Sequence, residues 1–135
     1  MEEINELKKE LIELSLKVGE HYRVKFDFSI DSIKQVEDIL RQINSEYSRN
    51  QQTEGLNGLT LELAAYIIAV IEKNITIGTW QRNSVEFGKD IFPYDLGGGN
   101  IIYPYQWCQK RIYDGESENV WTKFEALVLN KTKSN

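Results

Sequence analysis

One nearly continuous apolar run, residues 61–71, constrains the fold more than any other part of the chain, and only Glu62 interrupts it. A surface helix has an apolar stripe and a polar back, so a helix that is apolar on all sides is buried. The run is shorter than the roughly 20 residues that cross a bilayer, and its alanines favour a helix over a central strand. We therefore predict a buried central helix within residues 59–77, with Thr60 as its N-cap and Asn74 as its stop.

A first amphipathic helix is predicted at the N-terminus. Apolar residues at alternating spacings of three and four form a coiled-coil-like seam: Ile4, Leu7, Leu11, Leu14 and Val18. We expect residues 1–20 to form a peripheral helix on the domain's own core, ended by Gly19. The alternative is a dimerisation helix, so a monomer and a homodimer both stay open.

A second helix is predicted before the central one. Residues 22–28 alternate as a strand or form an extended connector, and Ser32 with Gln35 has the spacing of a capping box. The apolar stripe that follows predicts a helix that ends near Tyr47. Residues 48–58 are polar and contain two glycines, which is typical of a loop.

The C-terminal part has a different composition: glycines and two prolines separate short runs that are rich in aromatic residues. These runs predict the strands of a small antiparallel sheet, at residues 79–81, 91–96 and 100–103. Pro104 suits the first turn of a helix that stops at Gly115, and Ser117 is positioned to cap a last helix. Residues 130–135 are expected to fray.

The predicted class is therefore α+β: N-terminal helices around a buried central helix, a small antiparallel sheet and two short C-terminal helices. At 135 residues, residues 1–135 fit one domain. A formal net charge of -5 disfavours binding to nucleic acid. Cys108 is the only cysteine, so no internal disulfide forms, and the charged N-terminus is unlike a signal peptide. We expect a cytoplasmic protein that binds no membrane.

No residue pattern predicts an enzyme. The glycines at 97–99 lack the Lys-Ser/Thr that follows in a phosphate-binding P-loop, so they predict a hairpin turn. His21 and Cys108 lie outside any metal-ligand spacing. We expect no catalytic residue, no metal and no cofactor, although hydrolysis by paired carboxylates is not ruled out by the sequence.

A cluster of aromatic residues near a cation has the composition of a protein-binding hot spot. The predicted binding residues are Trp80, Tyr94, Tyr103, Tyr105, Trp107 and Arg111. Aromatic residues are also good strand formers, so the competing interpretation is that these side chains pack in the core.

Three segments carry a resemblance to a known family. They read F-D-F-S-x-D-S-I-x-x-V-E-x-I-L from Phe26, E-L-A-A-Y-I-x-x-V-I from Glu62, and I-Y-P-Y-x-W-C-x-K-R-I-x-D-G-E from Ile102. Together they resemble a family of small uncharacterised bacterial proteins, some of which lie near polymorphic-toxin loci and are suspected immunity proteins. The resemblance covers residues 26–116 and implies no established activity, so it assigns no catalytic residue.

From these observations we expect a small protein-binding module, of the kind that inhibits a toxin, with a basic protein as its partner. The alternative is a small enzyme or ligand-binding protein with a pocket near the aromatic sheet, in which Lys110 or Arg111 anchors an anion.

Overall fold

The computed structural model describes residues 4–133 and has the predicted α+β architecture. Four helices account for about half of the chain: α1 (Asn5–His21), α2 (Ser32–Asn50), α3 (Leu56–Asn74) and α4 (Pro104–Asp114). A small antiparallel sheet lies between α3 and α4, with strands β1 (Thr79–Trp80), β2 (Tyr94–Asp95) and β3 (Ile101–Ile102) in the order β1-β2-β3. The chain ends in α5 (Val120–Phe124), a π-helical stretch (Glu125–Leu129) and α6 (Asn130–Lys133). Among the described residues, no helix is both long and apolar enough to cross a bilayer.

The predicted central helix is α3, and it is buried as expected. Every side chain from Leu63 to Ile71 is buried except that of Ala69, which is partly exposed. At about 1.5–3 kcal/mol for each large aliphatic side chain, this burial is the largest apolar contribution to the core. The helix begins one turn earlier than predicted because Gly55 takes up a left-handed conformation, with φ 79°. Thr60 is therefore not the N-cap: it lies inside the helix and donates from Oγ1 to the Leu56 carbonyl oxygen at 2.6 Å.

The first helix packs antiparallel to α3, on a different face from the predicted one. Leu7 and Leu14 of the predicted seam are exposed, whereas Leu11, Ser15 and Gly19 are buried. The predicted seam is thus wrong at two of its five positions. Two of the buried residues, Ser15 and Gly19, are small, and a pattern that scores only large apolar residues does not register them. A homodimer through α1 would use the exposed Leu7 and Leu14.

Gly19 does not end α1, which continues to His21. A Cβ atom at position 19 would lie 2.8 Å from the Phe26 ring, so the glycine makes room for the chain as it returns beneath the helix. Residues 22–28 form a connector and not a strand: they begin with a turn, and Arg23 and Phe28 have positive φ values of 63° and 62°. Phe26 stacks on the Tyr66 ring of α3, with centroids 4.0 Å apart.

The predicted capping box at the start of α2 is absent. Ser32 Oγ donates to the Ser29 carbonyl oxygen at 2.6 Å and lies 2.7 Å from the Tyr66 hydroxyl. That hydroxyl also accepts a hydrogen bond from the Phe28 backbone N–H at 2.9 Å. Ser32 therefore joins α2 to α3, because its buried hydroxyl requires a partner that only the tertiary structure supplies.

The sheet has one face in the core and one face in solvent. Trp80, Tyr94 and Ile102 are paired across the three strands, and all are buried. The alternate row, Thr79, Asp95 and Ile101, faces outward, since successive side chains of a strand point to opposite faces.

A polar contact ties the sheet to both N-terminal and central helices. The Glu72 carboxylate of α3 accepts from Lys8 Nζ of α1 at 2.9 Å and from the Tyr94 hydroxyl of β2 at 2.7 Å. The same hydroxyl accepts from the Gly78 backbone N–H at 2.7 Å. Burial, together with the Glu72 contact, raises the pKa of Tyr94, so this phenol stays a hydrogen-bond donor.

The C-terminal helix is capped by Asn119 and not by Ser117. The Asn119 side-chain oxygen accepts from the Thr122 backbone N–H at 2.9 Å, and Ser117 lies in a short 3-10 turn (Glu116–Glu118). The predicted stop at Gly115 is confirmed, with φ 94°. Of the tail that was expected to fray, Asn130–Lys133 is helical and residues 134 and 135 lie outside the described part. Residues 1–3 of the predicted peripheral helix also lie outside it.

Two helical glycines give a matched test of this packing. Gly19→Ala should lower the free energy of unfolding by about 1–3 kcal/mol, because its Cβ would clash with Phe26. At Gly58, in α3, an added Cβ atom would meet no atom within 4 Å. Gly58→Ala should therefore raise the free energy of unfolding by about 0.5–1 kcal/mol through helix propensity alone. Urea denaturation measures both. Equal shifts in the two variants would contradict the close approach of Phe26 to α1.

Candidate functional site

The predicted binding residues on the sheet strands face the core. Trp80 and Tyr94 are buried, and the Trp80 indole N–H donates to the Phe92 carbonyl oxygen at 3.0 Å. The sequence predicted correctly that the strands carry aromatic residues, but these rings form the inner face of the sheet. A contact with a partner would require them to leave the core.

Arg111 is also buried, with 1% of its surface exposed. Its Nε donates to both carboxylate oxygens of Glu37 at 3.1 and 2.9 Å, and the same carboxylate accepts from the Val120 backbone N–H at 2.9 Å. Glu37 of α2 thereby holds α4 and α5 together. Arg111 is paired with Glu37, although its buried Nη1 atom has no hydrogen-bond partner among the described residues, and it is not among the residues that line the cavities described below.

The other three predicted residues lie where α4 begins. Tyr103 and Tyr105 are partly exposed, whereas Trp107 is buried with 5% of its surface accessible. The binding role of the six residues stays a prediction, and the burial of the other four makes Tyr103 and Tyr105 the two that fit it.

The outer face of the sheet forms the floor of a groove of about 690 Å³. We call it the outer groove. The row Thr79, Asp95 and Ile101 contributes to it, together with Tyr103. Of these four residues, only Tyr103 is among the binding residues predicted from the sequence. The remaining lining residues are Gln81, Ser84, Val85, Glu86 and Pro93.

A hairpin loop over residues 82–92 stands beside the groove. Arg82 and Asp90 form an ion pair at its base, with 2.7 Å between Nε and Oδ1, and Ser84 pairs with Gly88 near its tip. Val85 and Phe87 at the tip have 85% and 59% of their surface exposed. The Phe87 ring meets the Tyr103 ring edge to face at 5.7 Å between centroids. Large exposed apolar side chains held on an ordered loop are typical of interaction sites.

The backbone of the hairpin loop is strained where it returns to the sheet. Asp90 and Phe92 have positive φ values of 57° and 54°. For a bulky residue such as Phe92 this conformation costs about 1–3 kcal/mol and persists only where the surroundings impose it. The Phe92 backbone N–H donates to the Arg82 carbonyl oxygen at 2.9 Å, and its ring is buried. The core therefore fixes the loop's orientation.

The outer groove has an acidic character. Glu86 and Asp95 line it, and none of the described residues that line it is basic. Arg82, at the base of the loop, is paired with Asp90. The groove thus combines carboxylates with apolar walls, an arrangement that suits a lysine or arginine side chain of another protein.

No family model, curated protein or solved structure matches this chain. Within the described residues, no group of three or more His, Cys, Asp or Glu side chains is placed to hold a metal ion.

Sequence reasoning missed the outer row and the loop tip. Strand alternation places Thr79 and Asp95 on the face opposite to Trp80 and Tyr94, but it gives no direction for Ile101 and Ile102, which are both apolar. Which face is outer depends on where α3 lies, and that is a tertiary fact.

Removing one partner of the Glu37–Arg111 pair should be strongly destabilising. Arg111→Met leaves the Glu37 charge buried, and we expect it to lower the free energy of unfolding by about 3–5 kcal/mol. The loss in free energy of unfolding should be smaller for the double variant E37L/R111M than the sum of the losses for E37L and R111M, because the double variant buries no unpaired charge. Urea denaturation of all four proteins measures the coupling. Additive losses would show that the pair does not act as a unit.

Cys108 should be unreactive while the protein is folded. The residue is fully buried, and this burial raises the pKa of the thiol, so the reactive thiolate does not form near neutral pH. We expect no reaction with a chromogenic disulfide reagent at pH 8 beyond the rate of unfolding, and rapid reaction in concentrated urea. Rapid reaction in native buffer would contradict the position of this side chain.

Proposed function

We propose that the protein is a cytoplasmic protein-binding module of the immunity type, which holds a basic protein on the outer groove and the hairpin loop. One observation carries this proposal: Val85 and Phe87 are presented at the loop tip beside a groove lined by Glu86 and Asp95. Apolar anchors next to charges that select the partner are the usual components of a specific interface.

The geometry supports a rigid and not an adaptive interface. The groove floor is the sheet, whose inner row is locked into the core, and the loop is held at its base by the Arg82–Asp90 ion pair. A site on a preorganised surface loses little conformational entropy on binding. An inhibitor that must bind its target quickly and tightly benefits from such a surface.

The net charge supports the same partner. With a formal net charge of -5, the whole protein attracts a basic molecule over distances comparable to the Debye length, which is about 10 Å at 0.1 M salt. We expect association to slow as salt is raised. The finer part of the proposal, that the partner is a toxin, draws on the resemblance of residues 26–116 to suspected immunity proteins.

Affinity capture from the native host, followed by mass spectrometry, tests this proposal. The wild-type protein should recover a basic partner in stoichiometric amount. Glu86→Lys places a cation in the groove and should weaken binding about 10-fold or more. Phe87→Ser removes an apolar anchor and should weaken it by a similar factor. Glu13→Lys, an equal charge change on the exposed part of α1, is the control and should bind as wild type.

Two outcomes would count against the proposal. If no stoichiometric partner is recovered, the protein-binding function loses its support. If E86K and E13K bind a recovered partner equally, the partner does not use the outer groove. A recovered partner that stops growth when expressed alone, and does not when this protein is co-expressed, would agree with the immunity role.

A further inference from the structure

A second cavity, of about 480 Å³, lies on the other side of Tyr103 and differs from the outer groove in charge. We call it the lysine cleft. One wall is α4, which contributes Gln106, Trp107 and Lys110, and the opposite wall is the C-terminal helix, which contributes Lys123 and Leu127. Its volume lies within the range of about 300–1,000 Å³ that is typical of small-molecule sites.

The walls of the lysine cleft are largely aromatic and aliphatic. Phe87, Ile91 and Tyr103 line it in addition to Trp107 and Leu127. Leu127 lies in the middle of the π-helical stretch Glu125–Leu129. Single π-helical turns inside α-helices occur frequently at functional sites, because the extra residue in the turn displaces side chains from the regular helical spacing. Here the π-helical stretch carries the apolar side chain of Leu127 at the mouth of the cleft.

The charge of the cleft is opposite to that of the protein as a whole. No carboxylate is among the described residues that line it, whereas two lysines are. Lys123 is paired with Glu118, with 2.7 Å between Nζ and Oε1. Lys110 is exposed and forms no salt bridge with any described residue, although the Glu118 carboxylate lies near enough to interact with it electrostatically. Its ammonium group can therefore still turn toward a ligand in the cleft. In a protein of net charge -5, this is a local site for an anion.

Gln106 also lines the cleft, and its side-chain oxygen is buried with no hydrogen-bond partner among the described residues. Because this oxygen has almost no surface that a ligand could reach, it sets no requirement on the occupant. An occupant that fits the cleft has an apolar body and an anionic group.

We propose that the lysine cleft binds a small aromatic carboxylate, with its ring against Trp107 and Tyr103 and its carboxylate at Lys110. The lysine cleft shares only Tyr103 with the outer groove, and its ligand is not the protein partner proposed above. It corresponds to the pocket that the sequence associated with Lys110, without the participation of Arg111.

A pair of probes that differ only in charge tests this site. N-acetyl-L-phenylalanine has the ring and the carboxylate, whereas its amide, N-acetyl-L-phenylalaninamide, lacks the charge. Titration of the 15N-labelled protein should give saturable shifts at the Trp107 indole N–H and the Lys110 amide. From the usual efficiency of small ligands, the dissociation constant should be about 1 mM. The uncharged amide should bind about fivefold more weakly or worse.

Two variants and one control locate the carboxylate and the ring. Lys110→Gln should weaken binding of the acid about fivefold and leave that of the amide unchanged. Lys25→Gln, an exposed lysine outside the cleft, should change neither. Leu127→Glu places a carboxylate at the mouth of the cleft and should abolish the shifts by repulsion. Each variant is checked for its native spectrum.

The proposal would be overturned by any of three results. The first is the absence of saturable shifts in the lysine cleft at probe concentrations of about 20 mM, far above the expected dissociation constant. The second is equal binding of the acid and the amide to the wild-type protein. The third is wild-type affinity of L127E, which would place the ring somewhere else.

Discussion

The middle of the third helix, from Leu63 to Ile71, is almost entirely buried, and the neighbouring elements therefore have to supply apolar faces to it. Ile67 and Ile68 lie on different sides of α3, yet both are completely buried. Because a helix exposes side chains all round, a single partner cannot cover it. The first helix, the connector with Phe26, the inner row of the sheet and α4 each cover part of its surface.

Two carboxylates fix how these covering elements are arranged. Glu72 joins α3 to α1 through Lys8 and to the sheet through Tyr94. Glu37 joins α2 to α4 through Arg111 and to α5 through the Val120 backbone. Apolar packing is nondirectional, so it does not by itself select one register of the elements. Hydrogen bonds to a carboxylate are directional, and an unpaired charge in the core is costly, which favours a single arrangement.

The positions of the outer groove and the lysine cleft follow from this arrangement of the helices and the sheet. Because the sheet must turn Trp80 and Tyr94 toward the core, the alternate row with Asp95 faces outward and forms the acidic groove. Because α4 turns Cys108, Arg111 and Ile112 inward, Gln106 and Lys110 are left to line the lysine cleft. Tyr103 lines both cavities and marks the boundary between an acidic surface and a basic one.

The sequence by itself determined the helices, the strand positions and the α+β class, because periodicity, glycines and Pro104 act locally. The three strands formed within the predicted segments, and α4 began at Pro104 as expected. Only the tertiary structure decided which faces are buried. Leu7 faces water while Ser15 is buried, since close helix contact favours small residues. Arg111 pairs with Glu37, which is distant in sequence, and no local pattern encodes such a pair. The exposed residues of the candidate sites are therefore those that remained after the core was assembled.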